Sequence, residues 1–274
     1  HPRSYSFASK PRLVDIDKND IKFRNLYQKK FGLVTNNYIS VHNRDSFYLN
    51  RYKLDENNHD YRDYSIDDLE ILADWLTNNN LGFVRHGEVQ SPVRSEILKD
   101  KIIDLSNINK PPSLDSLLVS DCLFYLGCGS GFSTVAMMYR KPMLLINYMP
   151  YRFDELCIYT PGSIVLPKLL RKKECGTFLS FKEISMFPYN LHNKQCPFES
   201  LGIEVINNSP IDILEGAKQM LSMCNGTYKQ SEISIELQNK FWNSIKNIEG
   251  SFQTRNANIT IPDSFLIKNQ NLIR

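Results

Sequence analysis

Short apolar runs recur along the chain with amphipathic stretches between them, and this alternation predicts an α/β fold. The runs at 38–44, 82–86, 102–105, 122–126, 143–147 and 163–166 are apolar, β-branched or aromatic, as strands in a mainly parallel sheet require. Between the first two, Ser65 reads as an N-cap. Behind it Ile66, Leu69, Leu72, Ala73 and Leu76 fall on one helical face through Asn79, with acids in the first turns. That helix is expected to carry the chain from the first strand to the second. Pro111-Pro112-Ser113 opens a short helix with Leu114, Leu117 and Leu118, and 132–139 forms another after a glycine-rich turn. Ser209-Pro210 caps a helix to about Met223, and 231–248 makes a last amphipathic helix after Asn225-Gly226. Repeated βαβ units of this kind stack into one layered domain.

The pattern divides the chain into an arm or linker at 1–35, a domain at 36–225, and a helix and tail at 226–274. The arm is charged and lacks a strand run. Residues 150–208 are aromatic, proline-containing and weakly periodic, and are expected to form an irregular excursion that carries selectivity. The first residues, His1-Pro2-Arg3-Ser4, fit neither a signal peptide nor an initiator methionine, so a fragment or trimmed product is expected.

Composition narrows the chemistry. With 42% hydrophobic and 23% charged residues, the 274-residue chain can bury a full core. Thirty-three basic against 30 acidic side chains leave +3, too small an excess for a dedicated nucleic-acid surface. Cysteines at 122, 128, 157, 175, 196 and 224 make no CxxC pair and no compact disulfide spacing, so reduced thiols and the cytoplasm are expected. No apolar run approaches the ~20 residues a bilayer span needs. There is no HExxH, no clustered Cys/His set, and no Asp-x-Asp within 36–225, which weighs against zinc and against a metal-held donor.

The strongest local signal is Gly127-Cys128-Gly129-Ser130-Gly131, set between a strand and a helix. Glycines let a backbone approach a ligand closely, and a helix start offers N–H groups to a phosphate or carboxylate. Ser130, Ser133 and Thr134 can add hydroxyl donors. The alternative is a tight turn needing positive φ for packing alone. The same stretch resembles the first motif of methyltransferases that bind S-adenosylmethionine. Those enzymes, however, place an acid at the end of the next strand, where this chain has Asn147, and they place the motif after their opening strand.

Two further strand ends carry polar groups where doubly wound sheets open their ligand crevice. After the first, His42-Asn43-Arg44-Asp45 offers a guanidinium to fork onto a diphosphate and a carboxylate to orient it or act as a base. A surface Arg–Asp pair is the bland alternative. After the second, Arg85-His86 repeats the theme, with His86 either a participant or a plain loop histidine. Arg44, Arg85 and the Ser130 turn are expected to converge on one rim, where they would stabilise a nucleoside diphosphate leaving group without a metal. His59 or Asp60, in the loop before the first helix, can serve an acceptor hydroxyl or simply be solvated.

In their order, these blocks resemble a family of bacterial glycosyltransferases from surface-polysaccharide clusters. The blocks are His42-Asn43-Arg44-Asp45-Ser46-Phe47-Tyr48, Asp60-Tyr61-Arg62, Val84-Arg85-His86-Gly87, residues 121–132, residues 142–148, and Ser209-Pro210-Ile211-Asp212-Ile213-Leu214. The match spans about 36–225. It implies a Rossmann-like, doubly wound, GT-B-type donor-binding domain that holds a sugar nucleotide without a metal, most of the amino-terminal acceptor domain being absent. The strand end at 42–45 is also similar to the HxR motif of fucosyltransferases, in which the arginine contacts the donor diphosphate; that role would fall on Arg44. Asn43, where an apolar residue is expected, and the extra glycine in 127–129 depart from the pattern.

The expectation is a glycosyltransferase that moves sugar from a nucleoside-diphosphate donor to a surface glycan or lipid-linked acceptor, at or near the inner face of the membrane. Asp45 and His42 are its candidate catalytic residues. Arg44, Arg85, Gly129, Ser130, Gly131 and Ser133 are its donor-binding candidates, with no cofactor and no metal. A methyltransferase and a non-catalytic sugar-nucleotide or glycan-binding module are the rival readings.

Overall fold

The computed structural model describes residues 13–54, 60–88, 90–149, 159–186, 197–245 and 259–273. Asp17, in the triplet Asp15-Ile16-Asp17, caps α1 (Lys18–Phe31), accepting from the N–H groups of Asn19 and Asp20. Gly32 ends that helix in the left-handed region at φ 66°. The arm at 1–35 therefore carries a helix. The four-residue spacing of Phe23, Tyr27 and Phe31 brings their rings onto the core, a signal outweighed in the sequence by the surrounding charges.

Next come β1 (Tyr38–His42), α2 (Ser46–Arg51) and a 3-10 turn at Ile66–Leu69 leading into α3 (Glu70–Asn78). Ser65 caps that turn by accepting from Asp67 N, as its position predicts. β2 (Gly82–Arg85), α4 (Glu96–Lys101), β3 (Ile103–Asp104), α5 (Leu114–Val119), β4 (Tyr125–Gly127), α6 (Ser133–Met138), β5 (Met143–Tyr148) and β6 (Ile164–Pro167) complete the alternation. All six expected strands form one parallel sheet in the order β3-β2-β1-β4-β5-β6. This is a Rossmann-like α/β sheet flanked by helices.

The two faces of β1 explain the layering. Tyr38 packs with Val84, Leu114 and Leu118 beneath α1, whereas Ile39 and Val41 pack with Phe83, Leu69, Leu72 and Leu76. Period-two side chains bury both faces, so these strands read as continuous apolar runs rather than alternating ones. Each such side chain removed from water contributes roughly 1.5–3 kcal/mol.

Beyond the sheet, β7 (Leu169–Lys172) pairs antiparallel with β8 (Ile203–Ile206), with α7 (Phe181–Ser185) and α8 (Pro197–Ser200) between them in sequence. Part of the expected irregular excursion is thus a small second sheet. α9 (Pro210–Cys224) starts at its Ser209 cap, and α10 (Glu232–Ser244) starts at Ser231. α10 is not the last helix, because α11 (Asp263–Lys268) packs against both α9 and α10. Among the described residues no helix is long and apolar enough to cross a membrane. Cys122, Cys128, Cys175 and Cys224 are free thiols, and Cys157 and Cys196 lie outside the described residues.

Candidate active site at the reversal of strand order

In this strand order β1 and β4 are neighbours whose connections run outward in opposite directions, which opens a crevice at their carboxyl ends. A cavity of about 820 Å³ lies there. Its wall includes His42, Arg44, Asp45, Tyr48, Arg62, Glu88, Lys110, Asp115, Ser130, Gly131 and Phe132. Five expected residues, His42, Arg44, Asp45, Ser130 and Gly131, therefore meet at one hollow.

The glycine turn does not use the positive φ expected of a turn built for packing alone. None of Gly127, Gly129 and Gly131 has positive φ. A Cβ on Gly127 would stand 2.8 Å from the His42 carbonyl and closer still to the Tyr125 hydroxyl, so this glycine permits the close approach of β1 and β4. A Cβ on Gly131 would meet nothing within 4 Å, because that position faces the open cavity. Ser133 is buried and donates to the Ser130 carbonyl at 2.6 Å, bracing the turn rather than lining the wall. The N–H groups of Ser133 and Thr134 also close back onto Ser130 and Gly131.

Two arginines flank this turn. Arg44 lines the cavity and pairs with Asp63. Its backbone N–H meets the thiol of Cys128, whose pKa burial pushes up to about 11. Arg62 donates through Nη1 to the Gly129 carbonyl at 3.1 Å, while its buried Nε has no hydrogen-bond partner among the described residues. Burial, and then the neighbouring Arg44, lower the Arg62 pKa. In the sequence Arg62 stands out only within the Asp60-Tyr61-Arg62 block, since a lone arginine in a polar loop gives no period or spacing to read. His59, from the same loop, lies outside the described residues.

Arg85 does not reach the wall, which corrects the expectation that it holds a donor. Its side chain is fully buried, with Nε on Asn43 Oδ1 at 2.9 Å, Nη1 on Asp104 at 3.0 Å and Nη2 on the Ser91 carbonyl at 2.8 Å. A guanidinium in the second strand of a parallel sheet starts inside the protein, and its partners keep it there.

The two candidate catalytic groups are strongly held. Asp45 caps α2, accepting from Phe47 N at 3.1 Å, and its other oxygen accepts from Ser91 N, Ser91 Oγ and Asn43 Nδ2. The His42 ring stacks on Phe132 at 4.8 Å and stands 3.4 Å from Ser130 Oγ. Burial, reinforced by His86, drives its pKa down to about 3, so it is neutral at physiological pH. His86 is buried between Ser40 Oγ at 2.9 Å and Asp115 at 3.1 Å. Burial works against the charge of Asp115, but the hydrogen bond and charge of His86, with Lys110 at 2.9 Å, hold its carboxyl below the usual range.

No protein-family model matches the chain, and no curated protein matches it. The geometry alone therefore carries the functional argument. Beside the open glycine turn stand two adjacent arginines, Arg44 paired with Asp63 and Arg62 on the Gly129 carbonyl, while Asp45, Glu88, Lys110 and Asp115 line the rest of the wall. Guanidinium forks and exposed backbone suit a phosphate-bearing ligand, and the cavity volume suits a nucleotide with an attached group. Asn147, where a methyltransferase would carry its ribose-binding acid, is buried; it accepts from Asn208 N at 2.7 Å, and its own N–H donates to the Asn208 side chain.

Proposed function

We propose that the chain is the donor-binding part of a GT-B-type, metal-independent glycosyltransferase acting on a nucleoside-diphosphate sugar. The observation that carries this reading is the convergence of Arg44, Arg62 and the Ser130–Gly131 backbone at the carboxyl ends of β1 and β4. The arginines hold the diphosphate and neutralise the charge that develops on it as the sugar leaves. Ser130 adds a hydroxyl. Asp45 and Arg85 act through others: Asp45 fixes the start of α2, and Arg85 fixes Asn43 and Asp104. The acceptor is a surface glycan or a lipid-linked glycan. The tie between Asn147 and Asn208 weighs against the methyltransferase reading, although that chemistry remains the natural control.

Calorimetric titration with UDP-, GDP- and CMP-sugars, alongside S-adenosylmethionine, tests the assignment. A UDP- or GDP-sugar should bind more tightly than the monophosphate CMP-sugars, and R62A should weaken it by about 10–100-fold, the effect of losing a hydrogen bond to a charged group. Binding of S-adenosylmethionine alone would overturn the proposal. Donor binding without any turnover would favour a non-catalytic module.

A further inference from the structure

Of the groups lining the cavity that can accept a proton, three are committed elsewhere. His42 stays neutral among Phe132 and Ser130 and holds a proton poorly. Asp45 accepts four hydrogen bonds, and Asp115 pairs with His86 through one oxygen and Lys110 through the other. Glu88 differs. It is exposed at the mouth of the cavity, has no ion-pair partner among the described residues, and accepts from the Tyr52 hydroxyl at 2.6 Å. Gly87, at φ 135°, makes the turn that swings the chain out of β2 and presents it there.

Beside Glu88 stand two tyrosines. Tyr48 lines the cavity, its ring centroid lies 4.8 Å from that of Tyr52, and both are 46% exposed. An amphipathic ring left open to water offers an apolar face and a polar edge, and a pyranose presents the matching combination of C–H face and hydroxyl rim. A carboxylate hydrogen-bonded to one of those rings adds an acceptor for the sugar's hydroxyls. This lip is continuous with the hollow assigned to the donor.

We propose that Tyr48, Tyr52 and Glu88 form an acceptor-saccharide subsite in which Glu88 takes the proton of the attacking hydroxyl. The inference rests on the glycosyl-transfer reading. The acceptor oxygen forms a bond to the anomeric carbon as the bond from that carbon to the phosphate oxygen breaks. The electron pair leaves with the nucleoside diphosphate, beside Arg44 and Arg62, and the hydroxyl proton passes to the Glu88 carboxylate.

The test uses the full chain, UDP- and GDP-hexoses as donors and a panel of p-nitrophenyl pyranosides as acceptors. E88Q should lower kcat for transfer by about 100-fold while its donor Kd stays within about twofold, and it should lose the acid limb of the pH–rate profile. Y48A should raise the acceptor KM about tenfold with kcat nearly unchanged, the split expected of a binding platform. E88Q with unchanged kcat, or with donor affinity falling in step with kcat, overturns the role of Glu88 and leaves the transfer reading standing. A wild-type chain that binds donors but uses no pyranoside overturns the subsite. A wild-type chain that binds none of the donors overturns both.

Discussion

Asn43 joins Arg85 to Asp45: its Oδ1 accepts from Arg85 Nε at 2.9 Å, and its Nδ2 donates to Asp45 Oδ2 at 3.2 Å. One side chain thus aligns the ends of β1 and β2 and sets the carboxylate that caps α2. This accounts for an amide where an apolar residue is expected, because a hydrocarbon there would leave Arg85 Nε buried without an acceptor.

Arg85 and Arg44 should therefore respond oppositely to substitution. R85M leaves the buried Asn43 amide and the Ser91 carbonyl without their donor and unpairs the half-buried Asp104, and should destabilise the fold by about 3 kcal/mol, the scale of a broken buried pair. R44A removes a partly exposed pair with Asp63 and should cost at most about 1 kcal/mol while abolishing most donor affinity. Urea unfolding followed by circular dichroism, paired with donor titration, separates the two. Comparable destabilisation by both changes would refute the division.

The glycines make a second contrast. G127A drives a methyl group against the His42 carbonyl and the Tyr125 hydroxyl, and should destabilise by about 1–3 kcal/mol through strain at the β1–β4 contact. G131A adds its methyl to open space in the cavity, so the thermal midpoint should hold while donor affinity drops. A G131A protein that unfolds early would mean the turn is built for packing alone.

The sheet was legible because its strands are buried on both faces. Runs such as 143–147 leave no helical stripe, and the caps Ser65 and Ser209 mark helix starts by local chemistry. β7 and β8 were not legible. Each has four residues, and they pair across more than 30 positions, partly through Arg171 and Glu204, so neither strand carries a period of its own. At the site, the meeting of residues 42–45 with the glycine turn followed from strand-end position, but the direction of each side chain did not. Arg85 ends a strand as Arg44 nearly does, yet it turns inward to Asn43 and Asp104, and nothing in its neighbours' identities announces that choice.

His42 ties stability to acid. Its imidazole titrates near 3 in the fold and near 6.5 when unfolded, so between those values the unfolded chain binds the extra proton. Stability contributed by neutral His42 is complete above about pH 6.5 and is lost as pH falls towards 3. The ring borders the cavity and is only partly enclosed, so the loss should be about 2 kcal/mol by pH 4. H42Q should flatten that acid limb in urea midpoints taken at pH 7, 5 and 4. An imidazole resonance of His42 titrating near 6.5 in the folded protein would contradict this account.

Lys168 shows the same linkage at the alkaline end. It is buried behind the loop that carries Arg62, and its ammonium donates to the carbonyls of Tyr61 and Asp63. Burial pulls its pKa down to about 8, against the stabilising pull of Cys128 and nearby aspartates. Between about pH 8 and 10.5 the unfolded chain holds a proton that the fold has released, so stability should rise with pH across that window, by about 3 kcal/mol at most. K168M should lose the rise. Because it also leaves the two carbonyls without their donor, it should loosen the loop and weaken donor binding through Arg62, although residue 168 is not part of the donor cavity's wall. Chemical denaturation at pH 7, 8.5 and 10, with donor affinity measured in parallel at pH 7, checks both halves. A wild-type protein whose stability falls steadily from pH 8 to 10, with K168M falling alongside it, would show that the buried ammonium is not the group being titrated.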